Sequence, residues 1–194
     1  LLAKEKPAFE GFLQTLKPAA AAMQTAVPAM QPAVPAMGAG GMAATQVPTA
    51  EGPGLAWDAP ANWVAKPASA MRKATYAVPG SGGPDGDLSI TAFPSGVGGE
   101  LANVNRWRGQ VQLAPVAESD LGGEVTRLEA TELRIAFVDF AAGAGPASPR
   151  MLGAIVPFGG ATWFFKLSGT DALLAKTKPA FEAFLKTLKP AAQP

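Results

Sequence analysis

The chain has 194 residues, and none of them is cysteine or histidine. Without Cys there is no disulfide framework, no thiolate ligand for a metal and no sulfur nucleophile. Without His, the commonest metal ligand and the usual general base near neutral pH are missing, which closes most hydrolase and metal-site templates. Charge is scarce too: Asp, Glu, Lys and Arg make up 16% of the chain, against about a quarter in an average globular domain. The balance of 16 basic against 15 acidic residues gives a net charge of +1, so the chain as a whole has no long-range field to draw in nucleic acid or an anionic membrane. No apolar run reaches the ~18 residues that a membrane-spanning helix needs. No Asn-X-Ser/Thr sequon occurs, and the chain starts without Met and without a signal peptide. The expectation is a mature or excised segment, with any targeting signal upstream. No enzyme, cofactor or metal is expected from such a residue set.

What the chain does have is a near copy of its own ending. Residues 1–18 read LLAKEKPAFEGFLQTLKP and residues 173–190 read LLAKTKPAFEAFLKTLKP, identical except at Glu5/Thr177, Gly11/Ala183 and Gln14/Lys186. Within residues 1–17, Phe9, Phe12, Leu13 and Leu16 recur at helical spacing, which predicts an amphipathic helix with one apolar face. Pro7 sits inside this pattern and predicts either a kink or a start of the helix at that point. A lone helix of this length is marginal in water, so the apolar face needs a partner surface. The copy reads either as the last helix of a preceding homologous module or as a docking helix exchanged with a neighbour.

Residues 18–50 contain no charge and are dominated by Ala, Pro, Met and Gly; Val27-Pro-Ala-Met30 returns as Val34-Pro-Ala-Met37. Proline at this density excludes a regular helix and favours extended backbone. A linker over 18–54 is the reading. It can be ordered only by lying on a folded surface through Val27, Met30, Val34 and Met37, on its own domain or on a neighbouring copy.

Residues 55–190 have the size of one domain. Opening strand signals lie at residues 55–57, alternating strands at 72–78 and 88–93, and a helix opens at Gly98-Gly99-Glu100 and runs to Gly109. Further strands are expected at 125–128, 134–140, 151–158 and 162–167. The middle two are apolar on both sides and are therefore expected to be central and covered on both faces. Asp171 is expected to cap a final helix that turns Phe181, Phe184, Leu185 and Leu188 inward. The fold class is α+β: a mainly antiparallel sheet with a mid-chain helix and a packed C-terminal helix. Residues 191–194 begin a further linker or a tail.

Trp57, Asn62-Trp63, Met71-Arg72, the run from Gly98 through Val104-Asn-Arg-Trp-Arg-Gly109, Met151-Leu-Gly-Ala-Ile-Val156 and Trp163-Phe-Phe-Lys166 together resemble a family of uncharacterised bacterial exported proteins and lipoproteins. The order of elements is similar to the Mog1/PsbP-like fold. These resemblances imply a domain that follows an Ala/Pro/Met-rich linker and an extracellular or cell-envelope location; neither implies a catalytic activity.

The densest polar cluster is Asn103, Asn105, Arg106 and Arg108 with Trp107. Two guanidiniums with amides can clamp a carboxylate, a sugar or a partner's backbone; equally, they can bond loop carbonyls while Trp107 fills core. Ser95 to Gly99 lacks the Lys and Ser/Thr of a phosphate-binding loop and reads as a tight turn. Asp85 and Asp87 fall short of a calcium site, and Trp57, Trp63, Trp163, Phe164 and Phe165 read as core rather than a sugar platform. The leading functional expectation is a non-enzymatic structural repeat module of an extracellular or cell-envelope assembly such as a filament. Its partners would be other copies of the module, with neither nucleic acid nor a membrane span. The alternative is a periplasmic or lipid-anchored binding domain that uses the Asn/Arg/Trp helix.

Overall fold

The computed structural model describes residues 54–67, 69–96 and 98–192. The helix expected over 1–17, with Phe9, Phe12, Leu13 and Leu16, and the linker with Val27, Met30, Val34 and Met37 lie outside the described residues.

The alternating segments form an antiparallel sheet of seven strands. In chain order these are β2 (Val64–Ala65), β3 (Ala74–Val78), β4 (Gly86–Pro94), β5 (Thr126–Ala130), β6 (Leu133–Ala141), β7 (Pro149–Phe158) and β8 (Ala161–Thr170). Across the sheet they run β2-β3-β4-β8-β7-β6-β5. The chain thus lays down one half of the sheet and crosses to the far edge. It then meanders back until β8 pairs with β4, with Ile90 opposite Phe165 and Leu88 opposite Leu167. The crossing is made by α1 (Gly99–Gln110) and the short α2 (Leu121–Glu124). After β8 the chain enters α3 (Asp171–Lys186), and its last residues form β9 (Lys189–Pro190) against β1 (Leu55–Ala56) in a separate two-stranded ribbon. The β7–β8 hairpin closes on Gly159 and Gly160, both at positive φ (61° and 72°), as a two-residue turn matched to the strand twist requires.

Side chains alternate between two faces, and here each face has its own core. Leu88, Ile90, Ile135, Phe137, Leu152 and Phe165 lie under α3. Ala136, Val138, Phe140, Met151, Ile155 and Phe164 lie with Val104 and Trp107 of α1 on the opposite side. β6 and β7 are therefore central and covered on both faces, as their two-sided apolar character predicts. Gly153 is the necessary gap in β7: a Cβ there would sit 2.4 Å from Cζ3 of Trp107.

Two details differ from the sequence expectation. The cap of α3 is Thr170, whose Oγ1 accepts from the backbone N–H of Leu173 at 3.4 Å. Asp171, expected as the cap, is the first helical residue and is drawn instead into an ion pair with Arg150 at 2.8 Å. The strand expected from Arg72 begins at Ala74, because Ser69 and Arg72 are bridged in a turn. Pro179 lies inside α3 without ending it. Both it and Ala175, whose carbonyl loses its donor, face solvent, where water can replace the missing bond.

Candidate functional site

Two regions of the domain carry the residues singled out in the sequence: the groove that α3 fills on one sheet face, and the polar margin of α1 on the other.

In the groove, Leu174, Phe181, Phe184, Leu185 and Leu188 are fully buried. Phe184 lies 5.2 Å from Trp63 and 6.1 Å from Phe181, ring centre to ring centre. At about 1.5–3 kcal/mol for each large apolar side chain removed from water, this helix supplies much of the domain's stability. One polar contact is set into the same interface. Asp139 projects from β6 toward α3 and accepts both Nε and Nη2 of Arg150 at 2.8 Å, together with Nζ of Lys178 at 2.9 Å. Burial alone would raise the pKa of this carboxyl, but the hydrogen bonds from Arg150 and Lys178 outweigh it and hold the group below its ordinary 3.8. Beyond the helix, Thr187 Oγ1 accepts from Asp58 N at 3.0 Å, and Lys189 pairs with Asp58 at 3.7 Å.

Compared with the duplicate at 1–18, the groove-facing residues Leu174, Lys178, Phe181, Phe184, Leu185 and Leu188 stand as Leu2, Lys6, Phe9, Phe12, Leu13 and Leu16. Thr187 and Lys189 stand as Thr15 and Lys17. The three substitutions fall at Thr177, Ala183 and Lys186, none of them fully buried.

On α1, the cluster singled out in the sequence is held largely by its own domain. Asn103 is buried and donates from Nδ2 to Gly99 O at 2.6 Å, while its Oδ1 accepts from Arg106. Asn105 clamps the backbone of Val116 in both directions, donating to its carbonyl at 2.9 Å and accepting from its N–H at 2.8 Å. Arg108 donates from Nε to Ala114 O at 2.7 Å, pairs with Glu124 and lies 5.4 Å over the ring of Phe140. Arg106 differs: its head is exposed and its partner, Asn103, is neutral. The glycine turn before the helix has Gly98 and Gly99 at positive φ, which fits the tight strand-to-helix turn. Asp85 closes its loop by accepting from Gly80 N at 3.0 Å, and Trp57, Trp63 and Trp163 join the core under α3.

One turn on from Arg106, Gln110 Oε1 accepts from Lys166 Nζ at 3.1 Å. Lys166 stands on β8, paired across the sheet with Ser89. Burial pushes its ammonium below the usual lysine range; Arg72 and, more weakly, Arg106 push the same way, against Asp87. Asp87 is itself shared by Arg72 at 3.1 Å and Lys66 at 3.7 Å. This gathering drew no attention in the sequence, because its members come from four separated segments and α1 alone signals only Arg106.

Among the described residues no helix is long and apolar enough to cross a membrane, and no group of three or more His, Cys, Asp or Glu side chains is placed to hold a metal ion. No family model and no curated protein matches the chain. Several solved structures do. One is LpqN, involved in cell envelope biogenesis of Mycobacterium tuberculosis, with a TM-score of 0.49 and 12% identity over 76% of this chain and 88% of that one. Another is the cyanobacterial PsbP (CyanoP) of Synechocystis, with a TM-score of 0.44 and 13% identity over 79% and 99%. A third, from Bacteroides thetaiotaomicron, has a TM-score of 0.44 and 12% identity over 72% of this chain, which spans less than half, 46%, of that protein.

Proposed function

We propose that this chain is a non-enzymatic structural module of an exported or cell-envelope assembly, whose units are joined by helices that fill equivalent grooves. The observation that carries the reading is the pattern of identity between the two ends. Every position of 173–190 that meets the groove, apolar or charged, is repeated in 1–18, and the three changes avoid those positions. A duplicate kept only for its composition would not be expected to preserve Lys6 at the place of Lys178 or Thr15 at the place of Thr187. Because α3 already occupies this domain's own groove, the first segment fits either as the final helix of a preceding module, filling that module's groove, or as a helix exchanged for the α3 of a neighbouring copy.

The non-enzymatic part of the reading rests on the absence of His and Cys and on where the carboxylates are spent. Glu100, Glu124, Asp139 and Asp171 are each paired to an arginine. Such pairing suits positioning more than proton transfer. The test is the oligomeric state of the full chain by light scattering across concentration. The expected result is concentration-dependent association; a compact monomer at high concentration, from a reading frame with no further copy, would remove the proposal.

A further inference from the structure

The chain's net charge of +1 conceals a local concentration of cations. Lys66 and Arg72 pair with a single carboxylate, Asp87, and Lys166 stands beside these three, with Arg106 within electrostatic reach of Lys166, on the half of the second sheet face that α1 leaves uncovered. The register of the sheet puts them there. Lys66 N bonds to Thr75 O, which sets Lys66 beside Thr75. Thr75 faces Ser89 across β3 and β4, and Ser89 faces Lys166 across β4 and β8. Thr75 and Ser89 are buried at 6% exposure, so the long cationic side chains form the outer surface over a polar floor. Arg106 and Gln110, one turn apart on α1, form the side wall, and Gln110 holds Lys166 in place.

Four positive charges against one negative is an unbalanced arrangement, and Lys166 bears the consequence as a half-buried ammonium whose hydrogen-bond partner is a neutral amide. A structural ion-pair network would place a carboxylate there, as the domain does for Arg150 with Asp139 and Asp171. A second, independent observation concerns apolar exposure. The large hydrophobic side chains exposed among the described residues are Val64, at 58%, and Met71, at 46%. Val64, paired with Ala77 on β2, lies two residues before Lys66, which continues the pairing beside Thr75, and Met71 directly precedes Arg72. Cations facing outward with apolar side chains at their margin match the chemistry of a bilayer surface, where phosphates lie just outside acyl chains.

We propose that this face is a peripheral docking surface for an anionic phospholipid bilayer: Lys66, Arg72, Arg106 and Lys166 meet headgroup phosphates, and Val64 and Met71 enter the headgroup boundary. The test is co-sedimentation of the full chain with vesicles of phosphatidylcholine alone and of phosphatidylcholine with about a third phosphatidylglycerol. Binding is expected to the anionic vesicles and to fall steeply between low salt and about 0.5 M salt, where the screening length is only a few ångströms. Lys66→Gln, Arg72→Gln and Lys166→Gln should each weaken the partition by about fivefold, and Val64→Ser with Met71→Ser should weaken it further without changing its salt dependence. Phe9→Ser with Phe12→Ser should leave vesicle binding in place, which separates this surface from the first segment and from the assembly proposed for it. Lys166→Gln should melt no lower than the parent, because the charge it removes is repelled and partly desolvated; a lower melting temperature would make Lys166 a structural residue and overturn the assignment. Equal binding to neutral vesicles, or anionic binding indifferent to the cation variants, would overturn it too. So would amide shifts at Lys166 and Arg72 with millimolar inorganic phosphate while vesicles fail to bind, which would make this a site for soluble anions.

Discussion

On β7, beneath the indole of Trp107, Gly153 has no room for a side chain. A Cβ would come within 2.4 Å of Cζ3 and 2.7 Å of Cε3 of that ring, and the ring cannot retreat without uncovering Val138 and Phe164. Gly153→Val should therefore destabilise the domain by about 1–3 kcal/mol through overpacking, read as a lowered urea midpoint with an unchanged slope. Asp139 is the residue whose environment makes a pH prediction. Its pKa in the folded state lies below the ordinary value because bonds from Arg150 and Lys178 outweigh burial. Its stabilising effect is thus complete above about pH 4 and is lost as pH falls through the folded pKa. Asp139→Asn should be less stable than the parent at neutral pH. The gap, followed by thermal melts, should narrow as pH falls from about 4 through the folded pKa; a gap that stays constant on acidification would assign the loss to packing rather than to the carboxylate. Neither role is visible in the sequence, since a lone Asp in the apolar strand LRIAFVDFA gives no sign that Arg150 and Lys178 come to it from other elements.

Among the elements, α3 is the one whose loss the domain could least absorb. Phe181→Ala or Phe184→Ala should each destabilise by about 3–5 kcal/mol, a large share of the stability of a typical domain; Thr170→Ala should cost only about 1 kcal/mol, the worth of a cap. Chemical denaturation of the three variants side by side would check the ranking, and a Phe184→Ala variant no worse than the cap variant would show the groove to be less essential than its burial implies. This helix was legible because apolar residues at 3.6 spacing and the turn signals before it agree. So were β6 and β7 as central strands, since residues apolar on both sides can only lie between two cores. Less legible were elements made by pairing rather than by pattern. β2 and β9 are two residues each, too short for any periodicity. The cap at Thr170 rather than Asp171 turns on which side chain Arg150 claims. For the candidate sites the same division holds. The polar residues on α1 are conspicuous as a run, yet most of their capacity goes to Gly99, Ala114, Val116 and Glu124. The cation cluster was hidden because sheet register, not sequence proximity, assembles it.

At the scale of the whole molecule, the repeated ends and the uneven surface charge make separable demands on experiment. If residues 1–18 fill in another copy the kind of groove that α3 fills here, association rests on burying Phe9, Phe12, Leu13 and Leu16, a non-directional apolar force that salt does not screen. Oligomer formation should then be nearly unchanged between low and high ionic strength, and Phe9→Ser with Phe12→Ser should abolish it while the domain melts as before. The charged contact in the groove gives the finer discrimination. Lys178 donates to Asp139 from within α3, and its counterpart Lys6 would do the same only if the first segment sits in an equivalent groove in the same register. Lys6→Met should therefore weaken association by about ten- to a hundredfold if it meets a partly buried carboxylate, as loss of a charge-assisted hydrogen bond implies. The matching loss should follow from Asp139→Asn in the receiving copy, with the double variant no worse than either single one. Full additivity of the two changes, measured by sedimentation equilibrium, would place the first segment somewhere other than this groove.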